Sequence, residues 1–243
     1  LFHAIPYNSD KFYDLTGALS FITVIIYSLI VNTPKTIESW IISFFGLIWS
    51  SRLGFYLFKR ILKYGLDKRF GNFRANPITF FIPFVIQIFW TLSLVTPIIL
   101  LNKNDSEKKQ NFWSIFGILL WIVGFSIEVI SDMQKINFLQ AGLRNTEGFI
   151  STGLWSISRH PNYLGEILLW LGISIVSYNK IRNLIVFIAP ITTFILLRFI
   201  SGVPLLEKND IKRFGNNKKY LEYKKNTPVL FFNPLKLFNI LLN

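Results

Sequence analysis

Cysteine is absent from the 243 residues, which excludes a disulfide framework, a thiolate metal site and a cysteine nucleophile. Histidine occurs only twice, and His3 stands far along the chain from His160, so no histidine-rich metal centre is expected. Charge is sparse as well: 16% of residues are charged, against roughly 25% in ordinary soluble domains. A soluble globule of this size needs more polar surface than that. Acidic residues are the scarcest, 13 against 26 basic ones, leaving a net charge of +13. No Gly-x-Gly-x-x-Gly turn follows a strand-like run, so a Rossmann dinucleotide site is not expected. Nor is a cleavable signal peptide expected, because Phe21–Val31 is followed by further apolar segments rather than by a small-residue cleavage site. The chain opens at Leu1 rather than Met, so residues ahead of it are allowed for.

What is present is apolar. Hydrophobic residues make up 51% of the chain, 25 of its residues are Phe, and this excludes a disordered chain. Mean hydropathy is +0.43. A helix needs about 17–25 apolar residues to cross a bilayer core. Segments of that kind run over about 15–31, 40–57, 79–100, 113–131, 164–178 and 183–200. The third holds Pro83 and Pro97, which bundled membrane helices tolerate. The fifth is short and is expected either to start deeper in the membrane or to pair with the sixth as a hairpin through Ser177-Tyr-Asn-Lys180. With no low-complexity linker or internal repeat, one membrane domain over residues 1–243 is expected. The fold class is all-α: a polytopic bundle of about six transmembrane helices with a basic C-terminal helix.

The basic residues orient it. With six spans, 18 Lys and Arg fall on the side of the N-terminus and six on the other, while Arg52 and Arg198 lie inside spans. Cytoplasmic loops collect Lys and Arg, so the richer side and both termini are expected in the cytosol. The organelle follows the host: endoplasmic reticulum in a eukaryote, inner membrane in a bacterium. The polar connections Gly65–Gly71, Ser131–Lys135 and Ser158–Tyr163 and the tail around Glu207 all fall on that side. An anionic cytosolic cofactor would reach them there. The basic stretch Lys208–Lys225 is read as a juxtamembrane helix drawn to anionic lipid head groups, not as a nucleic-acid site.

Glu128 and Asp132 are four apart and share a helix face, and Asn162 and Glu166 repeat the spacing. Ionisable groups in membrane segments point to function by default. A structural reading stands beside this: Asp132 as an interfacial charge, Asn162 as a helix N-cap, and Pro161 as a first-turn proline. Arg159, His160, Asn162 and Glu166 within eight residues favour a site. Imidazole ordinarily titrates near neutrality, so His160 is read either as a base or, preferably, as a hydrogen-bonding pocket residue. Glu207 and Asp210 resemble a paired-carboxylate site, but Lys208, Lys212 and Arg213 beside them read as a solvated, salt-bridged helix.

The run Gly153-Leu-Trp-Ser-Ile-Ser-Arg-His-Pro-Asn-Tyr-Leu-Gly-Glu-Ile-Leu-Leu-Trp-Leu-Gly172 resembles the signature of the DUF1295 family, relatives of the steroid 5-alpha-reductase C-terminal domain. The resemblance continues through Asp132-Met-Gln-Lys135 with Phe138, Pro204-Leu-Leu-Glu207, Arg213-Phe-Gly215, Tyr220-Leu-Glu-Tyr223 and Thr227-Pro228. Upstream, Tyr13-Asp-Leu-Thr-Gly17, Trp49-Ser-Ser-Arg-Leu-Gly54 and Asp67-Lys-Arg-Phe70 are also typical. It covers nearly the whole chain, with its core over 111–232. Sterol reductases and isoprenylcysteine carboxyl methyltransferases carry related Arg-His-Pro blocks.

What the resemblance implies is a membrane-embedded NADPH pocket open to the cytosol. Asn162 and Glu166 match the nicotinamide end, Asp132 the preceding helix, Arg144 the following loop and Arg198 the next span. Gln134, Arg159, His160 and Tyr163 complete the implied cofactor contacts, and Tyr220 and Tyr223 lie where the family closes over the cofactor. These chemistries suit the parts. Arginine offers planar, bidentate donors to phosphate. Asn both donates to and accepts from a carboxamide, and a carboxylate accepts from amide or ribose donors. Reduction of an enone further needs a proton donor that polarises the carbonyl. Steroid reductases use a Glu and a Tyr of their N-terminal helices, but no acid is expected within spans two or three here, which leaves Tyr56 and Gln87 as polar candidates. Three readings follow. The first is an NADPH-dependent reductase of a C=C bond in a sterol, polyprenoid or fatty-acyl enone. The second is a methyltransferase using S-adenosylmethionine on a lipid or prenyl-cysteine, and the third is an inactive lipid-binding protein of the same fold.

Overall fold

The computed structural model describes residues 9–32, 36–64, 76–104 and 111–232; among these every regular element is helical and none is a strand. The α-helices are α1 (Tyr13–Asn32), α2 (Ile37–Tyr64), α3 (Pro77–Lys103), α4 (Phe112–Gln140) and the single turn α5 (Leu143–Thr146). After them come α6 (Pro161–Ile181), α7 (Ile188–Ile195), α8 (Val203–Phe214) and α9 (Lys218–Asn226). Short 3-10 helices cover Gly153–Ser156 and Leu184–Phe187, and a π-helix covers Leu196–Ile200. Among the described residues six helical stretches are long and apolar enough to cross a membrane: Tyr13–Asn32, Ile37–Leu62, Thr79–Lys103, Phe112–Gln140, Pro161–Ile181 and Leu184–Phe214. The protein is a multi-pass integral membrane protein. Its outward apolar side chains, among them Phe44, Phe55, Phe89 and Leu184, are exposed as a lipid-facing surface requires.

Four boundaries differ from the sequence expectation. The fourth span runs to Gln140 rather than 131, so Ser131–Lys135 lies inside α4 and is not a connection. The second span begins at Ile37 rather than 40, which brings Glu38 into it and ends the expectation that spans two and three hold no acid. The fifth extends to Ile181, so the hairpin connection is not Ser177–Lys180 but Arg182-Asn183, where Arg182 has φ 58° and the Asn183 side chain accepts from Ile185 N. The sixth is a broken 3-10, α and π series, and α8 continues it. The connection 65–71 lies outside the described residues.

The chain divides into two compact units, Leu1–Ile118 with Gly172–Thr192 and Leu119–Leu171 with Thr193–Asn243. The first is centred on Phe21, Trp49 and Trp90, whose rings meet edge to face with centroids 5.4–6.0 Å apart. Both proline carbonyls in α3 accept side-chain hydrogen bonds from other helices, Pro83 from Tyr13 Oη at 2.9 Å and Pro97 from Ser177 Oγ at 3.1 Å. Gln87 is spent in the same way, donating to Tyr13 O at 3.1 Å. Several buried polar groups of this unit pair with one another, as a membrane interior favours: Asn102 Nδ2 donates to Ser28 Oγ, Ser43 Oγ to Asn102 Oδ1, and Asn179 Nδ2 to Ser114 Oγ.

The second unit is built where α4 meets α6. A Cβ placed on Gly165 would lie 2.6 Å from Gly124 O and 2.7 Å from Glu128 N, and one on Gly124 would lie 2.7 Å from Gly165 O. Only glycine lets the two backbones come this close, the small-residue packing typical of membrane helices. That seam fixes the registry of the polar residues beside it.

Candidate active site

Helix α6 starts at Pro161, whose missing N–H costs nothing at a first helical position. The donors just before it are taken by the tail: Arg159 N donates to Pro228 O at 2.9 Å and His160 N to Val229 O at 3.1 Å. Ser158 Oγ donates to Leu230 O at 2.8 Å. Asn162 therefore sits inside the first turn rather than capping it, and its Nδ2 donates to Asp132 Oδ1 at 3.3 Å. Asp132 is 5% exposed, Glu128 3% and Glu166 9%, so three carboxylates and one carboxamide line the α4–α6 seam in a largely water-excluded setting.

Gln134, two residues beyond Asp132 on α4, holds the loop before α6. Its Oε1 accepts from Leu154 N at 3.0 Å, while Trp155 Nε1 donates to Ser131 O at 3.0 Å. Lys135 Nζ lies 4.9 Å from the centre of the Trp155 ring, a cation–π contact. Tyr223 Oη donates to Trp155 O at 2.7 Å, and Phe149 packs against the rings of Phe214, Tyr220 and Tyr223. Burial pushes the Tyr220 hydroxyl up to about 12, and the Tyr223 hydroxyl is raised for the same reason, so both are neutral donors.

Arg159 and His160 converge on Glu207. Arg159 Nη1 reaches both carboxylate oxygens at 2.8 and 2.9 Å, His160 Nε2 lies 3.4 Å from Oε1, and Lys224 Nζ lies 3.3 Å from Oε2. The His160 ring stacks on Tyr163 with 9° between planes. Burial lowers the His160 pKa below 6.5, against the opposing pull of Glu207. Glu207 is thus a residue that sequence reasoning set aside as part of a solvated, salt-bridged helix. Its basic sequence neighbours read as its partners, whereas its actual partners stand on α9 and in the loop before α6. Its signals in the sequence were its place in the Pro204-Leu-Leu-Glu207 block and on the side of the chain expected to hold the site.

The remaining expected residues stand apart from these contacts. Arg144 is exposed on α5, just after Gly142 with φ 71°. Arg198 is half-buried on the π-helix, its guanidinium 5.3 Å from the Phe199 ring centre. Tyr56 belongs to the first unit, with the Arg52 guanidinium 6.0 Å from its ring centre.

Comparison with known proteins agrees with the motif reading. The family described as Protein of unknown function (DUF1295) matches residues 4–227. An uncharacterized protein of Schizosaccharomyces pombe is 26% identical over 54% of this chain and 46% of its own length. The steroid 5-alpha-reductase DET2 of Gossypium hirsutum is 29% identical over 32% of this chain and 30% of its own. The matched part thus spans less than half of either relative. No solved structure matches the chain.

Proposed function

The chain belongs to the DUF1295 family, and on that premise we propose that it is a membrane-embedded, NADPH-dependent reductase of a C=C bond in a lipid. The observation that carries this reading is the Asn162–Asp132 contact beside buried Glu166. A carboxamide next to acceptor-only carboxylates is the donor and acceptor set that a nicotinamide amide and ribose hydroxyls require. Similarity to a protein named a steroid 5-alpha-reductase supports the reaction class.

The residues present fit the cofactor by their chemistry. Asn162 and Glu166 would hold the carboxamide, Asp132 a ribose hydroxyl, and Arg144 and Arg198 the phosphates. Bound NADPH supplies a hydride for the double bond. The protein's part is to orient and desolvate, with the seam keeping bulk water from the carboxylates and Gln134 holding the neighbouring loop in place. Tyr56 is the proposed proton donor, and Tyr56→Phe is expected to lower turnover while leaving NADPH affinity unchanged. The lipid would be reached from the bilayer, and the cofactor from the cytosol.

One observation favours a second reading. The Glu207–Arg159–His160 hub is where a methyltransferase of this superfamily would engage S-adenosylmethionine. Thermal-shift titration of the detergent-solubilised protein separates the two. Stabilisation by NADPH that disappears in Asn162→Ala supports the reductase. Stabilisation by S-adenosylmethionine alone would overturn it. Lipid profiling of cells lacking the protein would then identify the unsaturated lipid that accumulates.

A further inference from the structure

The hub around Glu207 holds an asymmetry that the reductase reading does not use. Glu207 is tied down by two cations, Arg159 on one side and Lys224 on the other. A carboxylate so held offers only acceptor oxygens toward His160. The imidazole nitrogen facing it, Nε2, must therefore carry the hydrogen. The surroundings of the ring also favour its neutral form. Burial of His160 disfavours the imidazolium, and Lys135 and Arg159 oppose it further, while Glu207 alone of the closest groups favours it; Asp210 lies within electrostatic reach as well.

Neutral imidazole has one hydrogen, so a hydrogen on Nε2 leaves Nδ1 as a bare lone pair. Nδ1 is buried and has no hydrogen-bond partner, in a residue only 4% exposed. Arg159 Nε, on the preceding residue, is likewise buried without a hydrogen-bond partner. Unpaired buried polar atoms are uncommon and ask for an explanation. The ring cannot easily turn to relieve this, because it stacks on Tyr163. The Tyr163 ring is in turn close against Gly202, where an added Cβ would lie 2.9 Å from it.

We infer that Glu207 is a positioning residue that holds His160 as the Nε2–H tautomer, so that His160 Nδ1 accepts a hydrogen bond from a hydroxyl or amide N–H of the bound cofactor. In naming that ligand, the inference rests on the NADPH reading above. The assignment of the tautomer does not.

The chain's two histidines make the test direct. In a His3→Gln background, His160 is the only imidazole, and 15N-histidine NMR of the detergent-solubilised protein reads both ring nitrogens. At pH 7.5 the expected spectrum is a neutral ring with hydrogen on Nε2 and a bare Nδ1. Saturation with NADPH is expected to shift the Nδ1 resonance toward that of a hydrogen-bonded nitrogen. Glu207→Gln, whose amide presents either a donor or an acceptor, is expected to give mixed tautomers. His160→Phe keeps the ring stack but has no acceptor, and its Kd for NADPH is expected to rise about fivefold to tenfold. A hydrogen on Nδ1, or an imidazolium at pH 7.5, would overturn the role of Glu207. An unmoved Nδ1 in protein that NADPH does stabilise would overturn the acceptor role while leaving the reductase reading intact. Failure of NADPH to stabilise the protein would remove that reading and the ligand assignment with it, and the tautomer would still decide Glu207.

Discussion

Glu38 and Lys180 form an ion pair at 2.8 Å with side chains only 3% and 1% exposed, joining the first turn of α2 to the last turn of α6. Removing one partner strands the other charge in a low-dielectric interior, a loss of about 3–5 kcal/mol. Glu38→Gln and Lys180→Met are each expected to lower the thermal midpoint in detergent strongly. The double variant should recover much of the loss, since two neutral side chains carry no stranded charge. A double-mutant cycle on unfolding midpoints measures this. Additive losses would show that the pair is not coupled.

The glycine seam makes a second prediction. In Gly165→Ala the new methyl group meets Gly124 O and Glu128 N, which are backbone atoms that cannot swing aside. The helices must separate, with an overpacking cost of about 1–3 kcal/mol. Asn162 and Asp132 would part with them, so NADPH-induced stabilisation should fall more than the basal midpoint does. Gly142→Ala is the contrast, since a Cβ there meets nothing within 4 Å and the cost is confined to its φ of 71°. Thermal unfolding with and without NADPH compares the two variants.

The spans were legible in the sequence because hydropathy sums over many residues and tolerates local error. Their ends were not. Lys180 read as a loop residue because a lone charge is costly in a helix interior, and only the fold supplies Glu38 to neutralise it. The π-helical turn that carries Arg198 leaves no mark in an apolar run whose every register is hydrophobic. In the candidate site, Asp132, Asn162 and Glu166 were legible from their spacing and motif, because i, i+4 residues share a face in any helix. Glu207 was not, since its partners are separated from it in sequence by 48 residues on one side and 17 on the other. Local charge pattern carries no information about such pairings.

Acid sensitivity follows from His160. Its folded pKa lies below the ordinary 6.5, chiefly because of burial, so the unfolded chain binds the proton more readily. The neutral ring's contribution is complete above pH 6.5 and is lost as pH falls from there through the lowered folded value. The thermal midpoint should therefore drop as pH falls below neutral. In His160→Phe that part of the pH dependence is expected to vanish, leaving a flatter profile over the same range. Midpoints recorded at half-unit steps of pH compare the two, and parallel profiles would remove His160 as the cause.

Gly153 and Gln134 offer a rescue experiment. Gly153 has φ 60°, and a Cβ there would fall 2.5–2.7 Å from the Gln134 amide group, the same group that accepts from Leu154 N. Gly153→Ala thus carries two penalties: the left-handed backbone, about 1–2 kcal/mol, and displacement of Gln134. Gln134→Ala alone loses the Leu154 hydrogen bond, about 1 kcal/mol, and leaves room beside Gly153. In the double variant the clash is gone and the lost hydrogen bond is counted once, so its destabilisation should be smaller than the two single losses combined by about 1 kcal/mol or more. The measurement is the set of four unfolding midpoints in one detergent. Because Gln134 seats the loop that leads into Arg159 and His160, NADPH affinity should recover in step with stability in the double variant; recovery of stability alone would mean that the loop's position does not bear on the cofactor.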